Sequence, residues 1–485
     1  MKAINRKKTA NTLILKLNIE SLKVVLLVIV NVIAAFPSIV WAHNANEFID
    51  SVSVSDKPNI IIILTDDAGY SDFGFQGNKD FDTPNIDALA KSGVICTQGY
   101  VSESVCSPSR AGLLTGRYQQ RFGHEYNLPG KPEKGDMAEY MGLPIEERTL
   151  AAQLKSLGYQ TGAIGKWHLG HADHFHPNKR GFDEFFGMLG GSNAYFDSLR
   201  SDRKGTRILR NSEPVQNPLP YLTEAFGKEA CDFIKRHKDN PFFLYLAFNA
   251  VHTPMHAKSD DLRLYDDING KARRTLAAMT KSLDDQIGAI MAQLKTLKLD
   301  KKTIVFFLND NGGAHNNGSR NVDLKGGKGT LMEGGIRVPF LISWKGKLAS
   351  NKYYHFPVSA LDIYATTVGI AGGALSKDRK YDGVNLIPFL TGIEKQRPHE
   401  ILYWRRSKGA AIRKGDWKLI RLPDRPPMLF DLSKDANESF DLNQNNPEKV
   451  KELMMDLFAW ETELAHPLWV TSPIWIKRNI EHYNK

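Results

Sequence analysis

Cysteine is scarce in this chain: its 485 residues contain three, Cys96, Cys106 and Cys231. So few thiols exclude a small disulfide scaffold, in which several bridges take the place of a hydrophobic core. Cys96 and Cys231 are either a disulfide pair in an oxidising compartment or two buried thiols, and the sequence leaves both interpretations open.

The chain also lacks a repeat of fixed period and a low-complexity tract, which argues against a repeat array or a biased, disordered segment. It has no basic run and no nucleic-acid-binding motif, so we expect no nucleic-acid partner. What is present, 42% hydrophobic and 24% charged residues, is a globular composition with ample material for a core.

Residues 1–42 have the order of a secretory signal peptide: a basic start, an apolar run at 24–35 and a small-residue exit at Ala42. The apolar run is short for a membrane span and contains Asn31, so we predict cleavage after Ala42 and no membrane attachment afterwards. The mature protein is then exported, to the periplasm or the medium. Losing the leader reduces the formal charge from +10 to +5, which suits anionic substrates.

Three almost wholly apolar runs, at 59–64, 242–248 and 302–308, predict strands buried on both faces of a sheet. Helical patterns at 150–157 and 276–297 alternate with them. This order predicts an α/β fold with a large, mixed, mainly parallel central sheet flanked by helices. Because ligands of open α/β sheets bind beyond the carboxyl ends of the strands, we expect the polar residues that follow these runs to form a site.

The pattern changes after residue 394. Short strand-like runs between residues 401 and 432, followed by a helical pattern at 447–464, predict a small antiparallel sheet with a helix. We therefore divide the chain into the signal peptide, a main domain of residues 43–394 and a C-terminal α+β subdomain of residues 395–485.

The most informative stretch runs from Cys106 to Arg117 and reads Cys-Ser-Pro-Ser-Arg-Ala-Gly-Leu-Leu-Thr-Gly-Arg. Pro108 favours the first turn of a helix. Cys106 then stands at the helix N-terminus, where free N–H groups and the helix dipole favour an anion. Arg110 adds a positive charge one turn later, so we expect an acidic and reactive thiol at Cys106.

This stretch resembles the signature of the formylglycine-dependent sulfatases of the alkaline phosphatase superfamily, Cys-x-Pro-Ser-Arg followed by Leu-Thr-Gly-Arg. The resemblance extends from about Pro58 to Leu464. It implies an alkaline phosphatase-like fold and a sulfatase that hydrolyses sulfate esters. It also implies a partner, a maturation enzyme that oxidises Cys106 to formylglycine (3-oxoalanine).

The formylglycine aldehyde of that family hydrates to a geminal diol, whose two hydroxyl groups have different tasks. One attacks sulfur and displaces the sugar or aryl oxygen. The other, once deprotonated, collapses to the aldehyde and expels sulfate. An ordinary Ser or Cys ester would instead need water to attack a hindered sulfur.

Two pairs of oxygen-bearing side chains follow predicted strands, Asp66-Asp67 and Asp310-Asn311. Four such side chains suit one hard cation. By resemblance these four residues bind one Ca²⁺, with Mg²⁺ as the alternative, and the ion also contacts the modified Cys106.

The resemblance assigns further catalytic positions to Arg110, Lys166, His168, His252 and Lys328. It implies that Lys166 lies near the diol and that His168 is the base that deprotonates the second hydroxyl. It places His252 and Lys328 on the sulfate near the leaving oxygen. One of these two supplies the proton that a poor alkoxide leaving group needs, and the sequence does not decide which.

The stretches 119–127 and 181–187 resemble bacterial sulfatases of polysaccharide-degrading systems. This resemblance implies a sulfated polysaccharide, or its oligosaccharides, that contains galactose or N-acetylgalactosamine. It makes His124, Glu125 and Asn193 candidate sugar contacts. Their interpretation as ordinary loop residues stays open.

Two other functions compete with this one. A phosphate or phosphonate ester hydrolase of the same superfamily would use a similar site for an anion of similar shape. A non-catalytic protein that binds sulfated glycans would use the same fold, but it would have no reason to keep an oxidisable cysteine among a complete set of catalytic residues.

Overall fold

The computed structural model of the chain describes residues 57–128, 139–196, 207–471 and 473–484. All of these residues belong to one compact unit. The predicted signal peptide, residues 1–42, lies outside the described residues.

The isoleucine-rich run Asn59–Thr65 forms a strand in which every residue is buried. Ile60 and Ile62 pack into one hydrophobic cluster, whereas Ile61 and Ile63 pack into another. Successive side chains of a strand point to opposite faces of the sheet, so this strand is covered on both sides. The mostly β-branched, almost wholly apolar sequence is what such a position requires.

The strands form a large central sheet, a small C-terminal sheet and one two-stranded pair. Their bounds are β1 (Asn59–Thr65), β2 (Val94–Cys96), β3 (Gly99–Tyr100), β4 (Gln160–Lys166), β5 (Glu184–Met188), β6 (Leu209–Arg210), β7 (Glu213–Pro214), β8 (Phe242–Ala247), β9 (Thr303–Asn309), β10 (Phe340–Trp344), β11 (Lys352–Tyr354), β12 (Val358–Ser359), β13 (Ile401–Arg406), β14 (Gly409–Lys414), β15 (Trp417–Arg421) and β16 (Met428–Asp431).

The central sheet has the strand order β11-β2-β10-β9-β1-β8-β4-β5-β6-β7. Its middle strands, from β9 to β5, run parallel to one another. Antiparallel pairs occur toward both edges. The predicted large, mixed and mainly parallel sheet is therefore confirmed.

Helices cover both faces of this sheet. Their bounds are α1 (Pro84–Lys91), α2 (Cys106–Thr115), α3 (Leu150–Ser156), α4 (Leu222–Arg236), α5 (Ser259–Arg263), α6 (Lys271–Thr296), α7 (Glu333–Ile336), α8 (Asp362–Ile370), α9 (Ile387–Thr391), α10 (Pro447–Glu461) and α11 (Pro473–Glu481). Helices α2, α3 and α8 contribute to the cluster on one face, and α1, α4 and α6 to the other. No helix in the described ranges has both the length and the apolar character needed to cross a membrane.

The C-terminal part folds as the sequence predicts, into the antiparallel sheet β13-β14-β15-β16 followed by α10. Leu453, Leu457 and Trp460 of α10 pack with Ile412 and Leu419 of the sheet in one hydrophobic cluster. The boundary at residues 394 and 395 stays a prediction.

Strand β4 is not among the strands predicted from the sequence, although it carries Lys166 at its end. Two glycines, which lower strand propensity, hide the pattern. Both are required by close packing. A Cβ at Gly162 would lie 2.5 Å from the Phe233 ring, and one at Gly165 would lie 2.0 Å from the Ala247 carbonyl oxygen.

A buried ion network joins the C-terminal sheet to the main part of the structure. Lys418 Nζ in β15 lies 2.8 Å from Glu333 Oε1 in α7 and 2.8 Å from Glu438 Oε1, and all three side chains are fully buried. The Tyr100 hydroxyl donates a hydrogen bond of 2.6 Å to Glu333 Oε2. Removing the Lys418 cation would leave two carboxylates buried without their main partner, and this would lower the free energy of unfolding.

We expect Lys418→Met to lower the free energy of unfolding by about 3–5 kcal/mol, the usual cost of breaking a buried ion pair from one side. Urea unfolding monitored by fluorescence measures the change. Lys414→Met on the neighbouring strand is the matched control, because its partners Glu452 and Asp456 are partly exposed. The control should cost about 1 kcal/mol or less. Equal losses in the two variants would contradict the assigned role of Lys418.

Candidate active site

Oxygen-bearing side chains from two neighbouring strands meet at the carboxyl edge of the central sheet. Asp66 and Asp67 follow β1, whereas Asp310 and Asn311 follow β9, and all four are buried. The strands are parallel and in register, with Thr65 beside Asn309. Asn311 Nδ2 donates a 2.9 Å hydrogen bond to Asp67 Oδ1.

Asp67 has a left-handed backbone, with φ of 65°. That conformation costs energy for most residues other than glycine, and Asp is one of the side chains that tolerate it best.

Cys106 is the first residue of α2 and is buried beside these carboxylates. Its Sγ lies 3.7 Å from Asp66 Oδ1. Lys328 Nζ reaches the same sulfur at 3.2 Å. The structure thus brings the predicted nucleophile, an acidic residue that follows β1 and a lysine more than 200 residues away into direct contact.

Each carboxylate of the group has its own cation. Lys166 Nζ donates to Asp66 Oδ2 at 2.6 Å, and Lys328 Nζ donates to Asp67 Oδ1 at 2.6 Å. Arg110 donates from Nε and Nη2 to Asp310 Oδ2, at 2.9 and 2.7 Å. Such pairing is what allows charges to be buried at this density.

Burial raises the pKa of the acids at this site, but the neighbouring cations lower the pKa of some acids more than that of others. For Asp66, burial alone would raise the pKa, yet Lys166, His252 and Arg110 outweigh it and hold the pKa well below its ordinary value. For Asp310, burial and the negative charge of Asp66 raise the pKa to about 6, despite Arg110.

The Cys106 thiol is not acidic, so the expectation drawn from its place at a helix start is wrong. Burial raises its pKa to about 12, and the lowering by Lys166 and Lys328 is too small to compensate. Arg110, which was expected to help ionise the thiol, is bonded to Asp310 instead.

The two predicted histidines flank the group, and burial lowers the pKa of each. His168 is buried, its backbone is left-handed with φ of 59°, and burial lowers its pKa well below the ordinary value. His252 Nε2 lies 3.5 Å from Asp67 Oδ2. Burial also lowers the pKa of His252, although Asp67 and Asp66 act in the opposite direction.

The donor set fits a divalent cation. Ligand atoms of Asp66, Asp67, Cys106 and His252 all lie within 4.8 Å of one another. Asp310 Oδ1 and Asn311 Oδ1 are buried and have no hydrogen-bond partner among the described residues. Buried oxygens left in this way beside paired carboxylates are suited to a hard ion.

The three predicted sugar contacts are buried and do not lie on an open surface. His124 is fully buried, with Nε2 at 2.7 Å from the Ser107 hydroxyl and Nδ1 at 3.1 Å from the Gly142 carbonyl oxygen. Glu125 is buried in an ion pair with Arg405. Asn193 is also buried, and its Oδ1 accepts from the Ala194 amide. Their sugar-binding role stays a prediction.

Ser107 is not among the site residues predicted from the sequence. Its hydroxyl also contacts the His168 carbonyl oxygen at 2.7 Å and so connects the helix start to the segment that carries His168. The sequence likewise did not predict the cavity above the group, which has a volume of about 880 Å³. Arg406, Trp475 and Arg478 line this cavity together with Asp67 and Lys328. No local motif marks these residues, because only folding brings them to the site.

Comparisons with known proteins agree on one family. The family model described as Sulfatase matches residues 58–374. N-acetylgalactosamine-6-sulfatase of Canis lupus familiaris is 35% identical over 380 residues, which cover 74% of this chain and 71% of that protein. Arylsulfatase H of Homo sapiens is 32% identical over 503 residues, which cover 80% and 88%.

Solved structures share the fold of this chain. The structure of Ps i-CgsB in complex with k-i-k-neocarrahexaose has a TM-score of 0.81 and 35% sequence identity, covering 87% of this chain and 98% of that one. The phosphonate monoester hydrolase of Agrobacterium radiobacter, at 20% identity and a TM-score of 0.59, shares the fold.

We expect Asp67→Asn to weaken the binding of Ca²⁺ or Mg²⁺ by about tenfold or more, because affinity for these ions follows the number of charged oxygen ligands. Isothermal titration calorimetry with each metal salt measures the change. Asp82→Asn, an exposed acid outside the group, makes the same chemical change and should alter the affinity by less than about twofold. A metal affinity that Asp67→Asn leaves intact would contradict the assignment.

Proposed function

The chain belongs to the sulfatase family and is a sulfuric ester hydrolase, and we propose that it removes sulfate from a sulfated carbohydrate. One observation carries this proposal: Cys106 Sγ lies 3.2 Å from Lys328 Nζ and 3.7 Å from Asp66 Oδ1. A nucleophile at this position lies between a cation and acids that are able to hold a metal. It can attack an anionic ester, because the cation and the metal would neutralise the negative charge of that ester.

The proposed substrate is a galactose- or N-acetylgalactosamine-containing polysaccharide, or its oligosaccharides. A relative that is 35% identical is an N-acetylgalactosamine-6-sulfatase. A solved relative that is also 35% identical is in complex with k-i-k-neocarrahexaose. Both names support the carbohydrate class.

We propose that Cys106 acts as formylglycine, installed by a maturation enzyme. A buried thiol whose pKa is about 12 is a poor nucleophile near neutral pH, which disfavours the unmodified side chain. The hydrated aldehyde would supply two hydroxyl groups, one to accept the sulfuryl group and one whose deprotonation releases sulfate.

Asp66, Asp67, Asp310 and Asn311 are the proposed ligands of one Ca²⁺, with Mg²⁺ as the alternative, and the modified Cys106 completes the set. The ion would supply positive charge that stabilises the transferring sulfuryl group. Arg110, bonded to Asp310 Oδ2, holds that carboxylate in place and leaves Oδ1 available.

The remaining side chains either neutralise the charge of the sulfate or transfer protons. Lys166 and Lys328 neutralise the sulfate, and Asp67, first among the neighbouring acids, keeps the pKa of Lys328 above its ordinary value despite burial. His168 is neutral, so it can accept the proton from the second hydroxyl. His252 and Lys328 face the same acid, Asp67, and one of them protonates the leaving oxygen.

Export is part of the proposal. Cleavage after Ala42 would leave a main domain from residue 43 to 394 and a C-terminal subdomain from 395 to 485 in the periplasm or the medium. A polymeric glycan substrate is found outside the cell, which agrees with a secretory leader.

Peptide mass analysis of enzyme produced with a maturation system should show the Cys106 peptide lighter by about 18 Da, the change from thiol to aldehyde. Parallel assays with sulfate, phosphate and phosphonate esters should give the highest kcat/KM for sulfate. An unmodified thiol in active enzyme would refute the formylglycine proposal, and a preference for phosphonate or phosphate would favour the other hydrolases.

We expect Cys106→Ser to lower kcat by about a thousandfold or more while the affinity for a sulfated oligosaccharide changes little, because a serine that is not itself oxidised has one hydroxyl group and lacks the second hydroxyl whose deprotonation expels sulfate. Turnover and calorimetric binding are measured on the same preparations. Cys231→Ser, in half-buried surroundings on α4, is the matched control and should keep wild-type turnover. Binding without turnover in the wild-type protein would instead indicate a non-catalytic glycan-binding protein.

A further inference from the structure

The cavity of about 880 Å³ extends well beyond the group that would receive the sulfate. Asp67, His252 and Lys328 line its floor. Its walls come from distant parts of the chain, among them Arg406 at the end of β13 and Trp475 and Arg478 on α11. The volume is in the range of ligand pockets and exceeds what a single sulfate group requires.

The lining of this cavity carries excess positive charge. Its fully charged side chains are Lys328, Arg406 and Arg478 against the single acid Asp67. Lys328 and Asp67 already pair at 2.6 Å. Within the described ranges, no carboxylate oxygen lies within 4.0 Å of the Arg406 or Arg478 guanidinium, so neither group forms a direct ion pair at the cavity.

Arg406 is held close to the proposed catalytic lysine. Its Nε donates a 3.2 Å hydrogen bond to the carbonyl oxygen of Gly329, the residue after Lys328. Its Nη1 is buried and has no hydrogen-bond partner among the described residues. Glu103 interacts with this guanidinium, but burial raises the pKa of Glu103 to about 7, so it is only partly ionised near neutral pH.

Trp475 and Arg478 form a cation–π pair on the cavity wall. They lie one turn apart on α11, and the Arg478 guanidinium carbon sits 5.4 Å from the centre of the indole ring. The indole is 56% exposed. An exposed, flat aromatic ring beside a cation offers both an apolar face and a site for an anion.

We propose that this cavity binds the sugar next to the one that loses sulfate, and that Arg478 and Arg406 recognise a second anionic group on it. That group is a sulfate ester or a uronate carboxylate, both of which match the guanidinium fork, while Trp475 packs against the pyranose ring. This inference rests on the proposed function and adds that the substrate is an oligosaccharide with more than one negative charge.

Arg478→Gln tests the inference, with Lys477→Gln as the matched control. Both residues are exposed on the same helix and both changes remove one positive charge, but Lys477 does not line the cavity. The substrates are one disaccharide with a single sulfate, the same disaccharide with a second sulfate on the neighbouring sugar, and a version with a uronate there. The measured quantity is the ratio of kcat/KM for each doubly charged substrate to that for the singly charged one.

We expect Arg478→Gln to lower this ratio by about tenfold, through KM, because it removes a charge-assisted contact. Lys477→Gln should keep the ratio within about twofold. The substrate with the larger drop identifies the anion as sulfate or carboxylate. An unchanged ratio in Arg478→Gln, or equal drops in the two variants, would overturn the inference.

A second pair of variants tests the aromatic wall. Trp475→Ala should raise KM for the oligosaccharides whether or not they carry the second anion. Ile474→Ala is the control, because Ile474 is 65% exposed on the same helix and does not line the cavity. A larger rise in KM for Ile474→Ala than for Trp475→Ala would contradict the proposed contact between Trp475 and the sugar.

The two proposals fail separately. If the mature enzyme hydrolyses no sulfate ester, the proposed function fails, and the inference is then decided by calorimetric binding in the Cys106→Ser background. There the doubly charged disaccharide should bind more tightly than the singly charged one, and Arg478→Gln should abolish that difference. If turnover is normal but the difference in binding is absent, only the inference fails.

Discussion

Buried charge is the constraint on which this structure depends. Asp66, Asp67 and Asp310 lie side by side in a buried position at the edge of the central sheet, where unpaired carboxylates would be strongly destabilising. Their partners Lys166, Arg110 and Lys328 come from a strand end, a helix and a loop far apart in the sequence. The site therefore forms only when these distant segments are folded together, and two of the cations that pair with the carboxylates, Lys166 and Lys328, are also those proposed to neutralise the sulfate.

The structure separates a rigid floor from a wall made of other segments. The floor is fixed by β1, β9 and the start of α2, and the buried ion network of Lys418, Glu333 and Glu438 ties the C-terminal sheet to the segment just after Lys328. The wall adds Arg406 and α11. This division suits an enzyme family in which the same sulfate chemistry serves different glycans, because the wall can change without disturbing the buried charges.

The sequence predicted the strands that end in acids and the motif at Cys106 well, because both are local. The same reasoning failed where the folded surroundings of a side chain determine its pKa. A thiol at a helix start was expected to be acidic, but dehydration at Cys106 outweighs the nearby cations. The sequence also gave no sign that His124 and Glu125 are buried and bonded to Ser107 and Arg405, and their role as sugar contacts stays a prediction. Polar side chains look alike in sequence whether they face solvent or the protein interior.

By itself the sequence determined the fold class, the place of Cys106 at a helix start and the acids at the strand ends, since apolar runs and motif spacing act within a few residues. Only the tertiary structure decided which lysine meets which carboxylate, that strand β4 needs Gly162 and Gly165, and that Arg406, Trp475 and Arg478 share a cavity with Lys328. Those facts depend on contacts between residues far apart in the chain, and such contacts leave no periodic signal in the sequence.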